Sequence, residues 1–406
     1  GTDFATDTLN GGDGTDTVSF RWYGFQASSG ATFNLGTHST NFENIIGSYY
    51  DDVLTGDNNP NSITGDNAES QYGEGADTII GLGGNDILSG NGGNDQIDGG
   101  TGADTITTGS GTDTVILRAG DGGSTLSGAD TITDFTDGTD VIGLDDGLQY
   151  TDLTIAQGTG DNANDTIISI TSTAEYLAIV EDISSSNVNY FDFASMATGD
   201  QSFTGTSDDD IFIGAAGVDT VSTNIGTDVI LTSAGADVIT IDGVGNKTIN
   251  AGTGTDSLTI SDGSGNTLTD YTISFDTVSD TTSFINGSDR IDFINIEKLN
   301  VNGEDWIIFK DGVGYRSNGT TYDVPSGNND YLNGFFSSAS NKIKLLEGGN
   351  SGSDEKGIYL TGWLDEFGFT PGSELTIYGS DAGDYIRPQN NSDENKININ
   401  AGSGDD

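Results

Sequence analysis

Cysteine is absent from this 406-residue chain, which excludes disulfide staples, thiol nucleophiles and thiolate metal sites. Histidine occurs once, as His38 in a loop-like GTHST context, and a Ser-His-Asp triad would have to use it. No G-x-S-x-G elbow accompanies it, and no H-E-x-x-H helix is present. No stretch approaches about 18 consecutive apolar residues, so no membrane-spanning segment is expected. Basic side chains are scarce: 12 Lys and Arg stand against 64 Asp and Glu, a formal charge of −52. That balance excludes nucleic acid and anionic membrane as partners. No basic-then-apolar leader opens the chain, and both ends fall within repeat-like text, so we read it as a segment of a longer protein. A secreted chain of this length without disulfides must be held by something else, and bound metal is the obvious candidate. Apolar residues make up only 33%, with β-branched residues in short runs, a balance that suits a thin solenoid core. Length alone allows two to four domains.

What the chain does have is a period. Written in nines, residues 72–116 read YGEGADTII, GLGGNDILS, GNGGNDQID, GGTGADTIT and TGSGTDTVI. Gly recurs at 75, 84, 93, 102 and 111, Asp at 77, 86, 95, 104 and 113, and an aliphatic residue at 79, 88, 97, 106 and 115. Neither a helix nor an ordinary strand has this period, so it signals a repeat architecture. The Gly-rich part suits a turn, because Gly takes positive φ without steric cost. The last three residues suit a short strand whose middle side chain points inward. Two units close one coil, so residues 18 apart stack: Asp77, Asp95 and Asp113 line one edge, Asp86 and Asp104 the other. Carboxylates piled this way repel unless a cation lies between them, and turn carbonyls point to the same place. An oxygen-only, negatively charged, flexible cage suits Ca²⁺ and neither Zn²⁺ nor Cu²⁺. About ten such ions would cancel about 20 of the negative charges.

These residues resemble the RTX (repeats-in-toxin) nonapeptide family, with its pattern G-G-x-G-x-D-x-U-x. Gly99–Thr107 and Gly11–Ser19 match fully, while Tyr72, Leu82, Asn91 and Thr108 depart at the first two positions of other copies. The resemblance implies an all-β chain whose right-handed parallel β-roll blocks are separated by antiparallel β-rich spacers and caps. It implies several bound Ca²⁺ ions and export through a type I secretion system, unfolded at low Ca²⁺. On the matching positions the expected metal residues of the first block are Asp16, Asp52, Asp77, Asp86, Asp95, Asp104 and Asp113. Turn positions Gly73, Gly75, Gly84, Gly93, Gly100, Gly102 and Gly111 accompany them. Asn61 replaces one Asp and should bind weakly. The segment 130–146, DTITDFTDGTDVIGLDD, resembles the phrase that closes RTX blocks, and Asp130, Asp134 and Asp140 are either further ligands or solvated turns.

The expected organisation is a β-rich lead-in with one nonad (1–46), a first roll (47–117), a β-rich cap or spacer (118–202), a second roll (203–268), a second β-rich spacer (269–374) and the start of a third roll (375–406). GDNAESQ, seven residues before Tyr72, predicts a bulged coil. Phe20, Trp22, Tyr23 and Phe25 form either a cap core or a sugar platform. SSNVNYFDFASM reads as a short helix or turn that plugs the roll. In the second roll Asp210, Asp219, Asp228, Asp237 and Asp256 keep the register, with one inserted residue near Lys247 and Asn246 at an Asp position. Paired glycines are fewer there, so some of those turns should hold without metal. Asp384 opens the third roll.

No catalytic constellation stands out, and the acids fall in the metal register. The leading expectation is therefore a non-enzymatic, secreted, Ca²⁺-stiffened structural protein of a bacterial surface: an S-layer, filament or adhesin stalk that self-associates into a sheet or filament. A second reading is the calcium-dependent carrier of an RTX enzyme or toxin whose catalytic domain lies elsewhere. A third makes the aromatic-bearing spacers bind a cell-surface glycan.

Overall fold

The computed structural model describes residues 9–20, 29–66, 74–261, 263, 265–276 and 279–310, and beyond these only the backbone of short strands from Val313–Tyr315 to Lys396–Asn400. Gly73, Trp22, Tyr23, Phe25, Asp384 and most of the GDNAESQ step lie outside the described residues. The chain separates into two compact units, Gly1–Ala197 and Thr198–Asp406.

The first unit is a parallel β-roll. One sheet stacks Thr32–Asn34, Val53–Thr55, Thr78–Ile80, Gln96–Asp98, Thr114–Leu117, Val141–Leu144 and Phe193–Ser195, each parallel to the next. The other runs Thr17–Ser19, Asn44–Ile46, Ser62–Thr64, Ile87–Gly92, Thr105–Ser110 and Asp130–Ile132, again parallel. Thr78 pairs with Gln96 and Gln96 with Thr114, the two-nonad coil expected from the sequence. At the seven-residue insertion the pairs Val53–Thr78 and Ser62–Ile87 lengthen together, so the extra residues leave both sheets in register.

Because strand residues alternate between faces, the middle residue of each short strand enters the roll. Leu54, Ile79, Ile97, Val115 and Ile142 from one sheet and Ile45, Ile63, Leu88, Ile106 and Ile132 from the other are all 0% exposed. Burying each such side chain stabilises by roughly 1.5–3 kcal/mol. A ladder of one aliphatic residue per strand forms the centre of the roll, which is how so apolar-poor a chain can fold.

The sheets cross the boundaries expected at 46/47 and 117/118: lead-in strands start both, and Val141–Leu144 and Phe193–Ser195 finish one. The segments 153–157, 166–170 and 176–180 form the expected antiparallel unit, joined through Tyr176–Val180, which runs parallel to Asp130–Ile132. The expected plug is a single 3₁₀ turn, Tyr190–Asp192, whose Tyr190 lies edge-on to Tyr150. Phe20 is buried 5.4 Å from Phe33, a core contact.

The second unit repeats the design. Ser202–Thr204, Thr220–Ser222, Val238–Ile241, Ser257–Ile260 and Lys298–Val301 stack in parallel. Ile211–Ile213, Asp228–Leu231, Lys247–Asn250 and Asp289–Ile294 do the same. Antiparallel strands follow in each sheet, Glu304–Lys310 in one and Thr281–Asn286 in the other. Glu374–Tyr378 and Lys396–Asn400 are parallel again.

Candidate metal centres

Between each turn and its strand, an Asp side chain points along the roll axis. The backbone N–H of Asp77 donates to Asp95 Oδ1 at 2.8 Å, and that of Asp95 to Asp113 Oδ1 at 2.8 Å. On the other edge Asp86 N–H donates to Asp104 Oδ1 at 2.7 Å, and Asp104 N–H to Asp130 Oδ1 at 2.9 Å. In the second unit Asp219 donates to Asp237 at 2.7 Å and Asp237 to Asp256 at 2.8 Å. The columns of acids expected from the nonads are thus chains of backbone-to-carboxylate bonds, one link per coil.

The other carboxylate oxygen divides the turns into two kinds. Oδ2 of Asp16, Asp77, Asp86, Asp95, Asp104, Asp113, Asp237 and Asp256 is buried with no hydrogen-bond partner. A buried carboxylate oxygen with no donor is strongly unfavourable, so these oxygens call for a cation. Glycine supplies the space. A Cβ on Gly81 would strike Asp86 Oδ2 and the Gly99 carbonyl, and one on Gly90 would strike Asp95 Oδ2 and the Thr108 carbonyl. Each cradle therefore presents a carboxylate and a main-chain carbonyl oxygen, the donors Ca²⁺ prefers. Among the described residues no three acidic or imidazole side chains converge on one point, so main-chain oxygens must complete any cage.

The second kind closes on itself. Asp140 Oδ2 accepts from Thr136 N–H at 2.8 Å, Asp210 Oδ2 from Thr206 N–H at 2.6 Å, and Asp219 Oδ2 from Ala215 N–H at 2.9 Å. Asp52 accepts from the Ser48 and Ala31 N–H groups and from Ser48 Oγ. Asp134 accepts from Thr108 N–H at 2.7 Å and Gly109 N–H at 3.0 Å. Protein donors thus already reach these expected ligands, from their own turns for Asp52, Asp140, Asp210 and Asp219 and from a neighbouring coil for Asp134, which sets them apart from the open turns. Asn61 belongs with them, its Oδ1 taken by Asp57 N–H at 2.8 Å.

The residue four before the Asp differs between the open turns and those closed by their own N–H. In open turns it lies at positive φ: Gly12 (96°), Leu82 (77°), Asn91 (73°), Gly100 (79°), Gly109 (104°), Ser233 (71°) and Gly252 (75°). Ser48, Thr136, Thr206 and Ala215 are not among the positive-φ residues, and it is their N–H that closes the turn. The left-handed backbone turns that N–H away from the carboxylate.

Of the glycines expected at the metal, Gly93, Gly102 and Gly111 are also required by the packing of the coils. A Cβ on any of them would collide with the carbonyl of Gly75, Gly84 or Gly93 one coil earlier. They let coils approach, while Gly81 and Gly90, which the sequence did not single out, make room beside Oδ2. Gly100 likewise sits against the Leu82 carbonyl.

Burial raises the pKa of these acids. It lifts Asp77 to about 8, opposed by the Asp52 N–H and reinforced by the charges of Asp52, Asp66 and Asp95. Asp95 reaches about 7 and Asp86 about 6, again through burial first. Asp104 and Asp113 are raised for the same reason. Asp130 is also raised by burial, with the adjoining Asp104 carboxylate adding to it.

Sequence reasoning missed four residues here. Asp66, in the insertion, is 2% exposed with an unpartnered Oδ1, and burial pushes it to about 7. Glu43 and Glu297 take Asp positions in two columns, accepting from Asp16 N–H at 2.8 Å and Asp256 N–H at 2.7 Å. The echo between NFENIIGS and INIEKLN was their signal, since each places a Glu ahead of a roll strand. Arg118 gathers Asp98 at 2.7 Å, Asp121 at 3.2 Å and Asp145 at 3.3 Å beside the coils. His38 Nδ1 accepts from Asn34 N–H at 3.0 Å in the one-turn helix Leu35–His38 and packs 5.4 Å from Phe33.

A sequence profile described as the RTX calcium-binding nonapeptide repeat matches residues 5–20, 72–106, 89–123 and 199–239, stretches that hold every open turn except that of Asp256. These stretches are RTX calcium-binding nonapeptide repeats. The chain is accordingly a calcium-binding repeat protein with the parallel strands of a β-roll. Among solved structures, it is similar to the AlgE6R3 subunit of the Azotobacter vinelandii mannuronan C5-epimerase, at 26% identity over 35% of this chain and 78% of that one, with a TM-score of 0.14. It is also similar to the extracellular lipase LipA of Serratia marcescens, at 16% identity over 60% of this chain and 42% of that one, with a TM-score of 0.19. At such scores neither likeness bears on the arrangement of the whole chain. No curated protein sequence is significantly similar to it.

Proposed function

We propose that this is a secreted structural protein of a bacterial surface, whose RTX rolls fold and stiffen when Ca²⁺ enters the open turns. The observation that carries the reading is the set of buried, donor-less Oδ2 atoms repeated along both units. Bound Ca²⁺ supplies the positive charge these oxygens lack. The chain's own residues position it: backbone N–H groups fix each Oδ1, and glycine cradles bring Oδ2 beside a carbonyl.

At low Ca²⁺ the same acids, within a chain of net charge −52, oppose collapse. Ion binding then becomes folding free energy, which suits export of an unfolded chain into a calcium-rich exterior. Extracellular modules bind Ca²⁺ at about 10⁻⁴–10⁻³ M, the range such a switch needs. An S-layer, a filament or an adhesin stalk would use the stiffened rolls without catalysis, through self-association into sheets or filaments and contact with surface glycan. No helix among the described residues is long and apolar enough to cross a membrane.

Two measurements test this. Circular dichroism should show β signal that falls in chelator and returns with Ca²⁺. Electron microscopy at millimolar Ca²⁺ should show ordered sheets or filaments. A roll fully folded in chelator would remove the switch, and monodisperse monomers at every Ca²⁺ concentration would remove the assembly role.

A further inference from the structure

One acid in the metal register fits neither kind of turn. Asp228 Oδ2 is buried with no hydrogen-bond partner, as in the open turns, but it is not left without a counter-charge. The Lys247 ammonium lies 2.9 Å from it, with side-chain exposures of 0% for Lys247 and 2% for Asp228. The same Nζ donates to the Gly226 carbonyl at 2.7 Å and reaches the Val244 carbonyl at 3.4 Å. The ammonium therefore gives its hydrogen bonds to two carbonyl oxygens and its charge to one carboxylate. A carboxylate with turn carbonyls is also the donor set the open turns offer to Ca²⁺.

The sheet register explains how the lysine gets there. Asp228 pairs with Lys247, so Lys247 occupies the position that Asp95 holds relative to Asp77. The inserted residue brings it there and moves Asn246 out of the Asp position. Asp228 N–H consequently donates to the Asn246 backbone carbonyl at 2.9 Å, where its counterparts find the next carboxylate. At this step one acid has been lost from the column and one cation gained.

We propose that Lys247 is a tethered cation occupying the metal position of the Asp228 turn, so that this step of the second roll is neutralised from within the chain and takes no Ca²⁺. The inference rests on the calcium reading of the neighbouring open turns. On this reading Asp228 pairs with Lys247 in place of a metal ion. A fully buried lysine is rare unless paired, and here its partner is the oxygen a metal would otherwise claim. The step is therefore assembled at any Ca²⁺ concentration, while Asp237 and Asp256 on the other edge wait for the ion.

Native mass spectrometry of the full chain at saturating Ca²⁺ tests it by counting ions. Lys247→Met keeps the apolar stem and removes the charge, leaving Asp228 Oδ2 like the other orphaned oxygens; it should bind one ion more than the wild type. The double variant Lys247→Met/Asp228→Asn removes both charges and should bind the wild-type number. A single variant that gains no ion overturns the proposal, as does a double variant that loses one. If Lys247→Met folds only when Ca²⁺ is added, that supports it; if it folds under no condition, the double variant's count decides. A wild-type count of zero overturns the calcium reading, and this inference with it, whereas a positive count unchanged in Lys247→Met overturns this inference alone.

Discussion

Asp77 and Asp95 are joined head to tail: the main-chain N–H of the first donates to Oδ1 of the second at 2.8 Å, and Oδ2 of the second is buried without a donor. One half of the carboxylate thus holds the coils together and the other half faces a cradle that wants a cation. The contrast with Asp52, whose oxygens are taken by protein donors, makes the roles separable.

Asp95→Asn should lower the number of Ca²⁺ ions bound per chain, because the amide offers the cradle no charge. Asp52→Asn should leave that number unchanged and cost about 1–3 kcal/mol through donors left unsatisfied. Ion counting paired with urea unfolding in Ca²⁺ checks both. Equal ion loss in the two variants would contradict the division of the turns.

Without Ca²⁺ the protein should be more stable in mild acid than at neutral pH. The folded-state values of Asp77, Asp95 and Asp256, about 8, 7 and 7, lie above the usual 3.8. Between those limits the folded chain holds protons that the unfolded chain has released, so stability falls as pH rises through the window. Urea midpoints of calcium-free protein at about pH 4.5 and pH 8 should therefore decrease in that order. Adding Ca²⁺ near pH 6 should release protons, which an unbuffered titration detects.

Gly90→Ala should damage a metal cradle and not merely a turn. The new methyl would meet Asp95 Oδ2 and the Thr108 carbonyl, so the midpoint of the calcium-induced folding transition should move to higher Ca²⁺. Gly199 has nothing within 4 Å of its Cβ position, and Gly199→Ala should leave the midpoint where it is.

Leu82 holds a φ of 77° with its side chain 43% exposed. Leu82→Gly should relieve roughly 1 kcal/mol of backbone strain at little cost in packing. Thermal unfolding in saturating Ca²⁺ should show the variant more stable. A destabilised variant would mean that Leu82 contributes more through packing than it loses in strain.

The nine-residue text determined a good deal by itself. It set the coil, the inward aliphatic ladder, the columns of acids and the family, because each of these recurs locally and a period is visible wherever the chain is read. It also hinted that turns poor in paired glycine could hold together without metal, and the carboxylates of Asp210 and Asp219 do accept N–H groups of their own turns. What only the tertiary structure decided is which oxygens are left over. The donors that satisfy a given carboxylate come from its own turn or from coils 18 to 41 residues away. The sign of φ at Leu82 or Ser48, the arrival of Lys247 opposite Asp228 and the places of Glu43 and Glu297 in the columns all depend on how distant coils stack. Charge compensation at a buried oxygen is a property of everything within a few ångströms of it, and a sequence motif records only the neighbours along the chain.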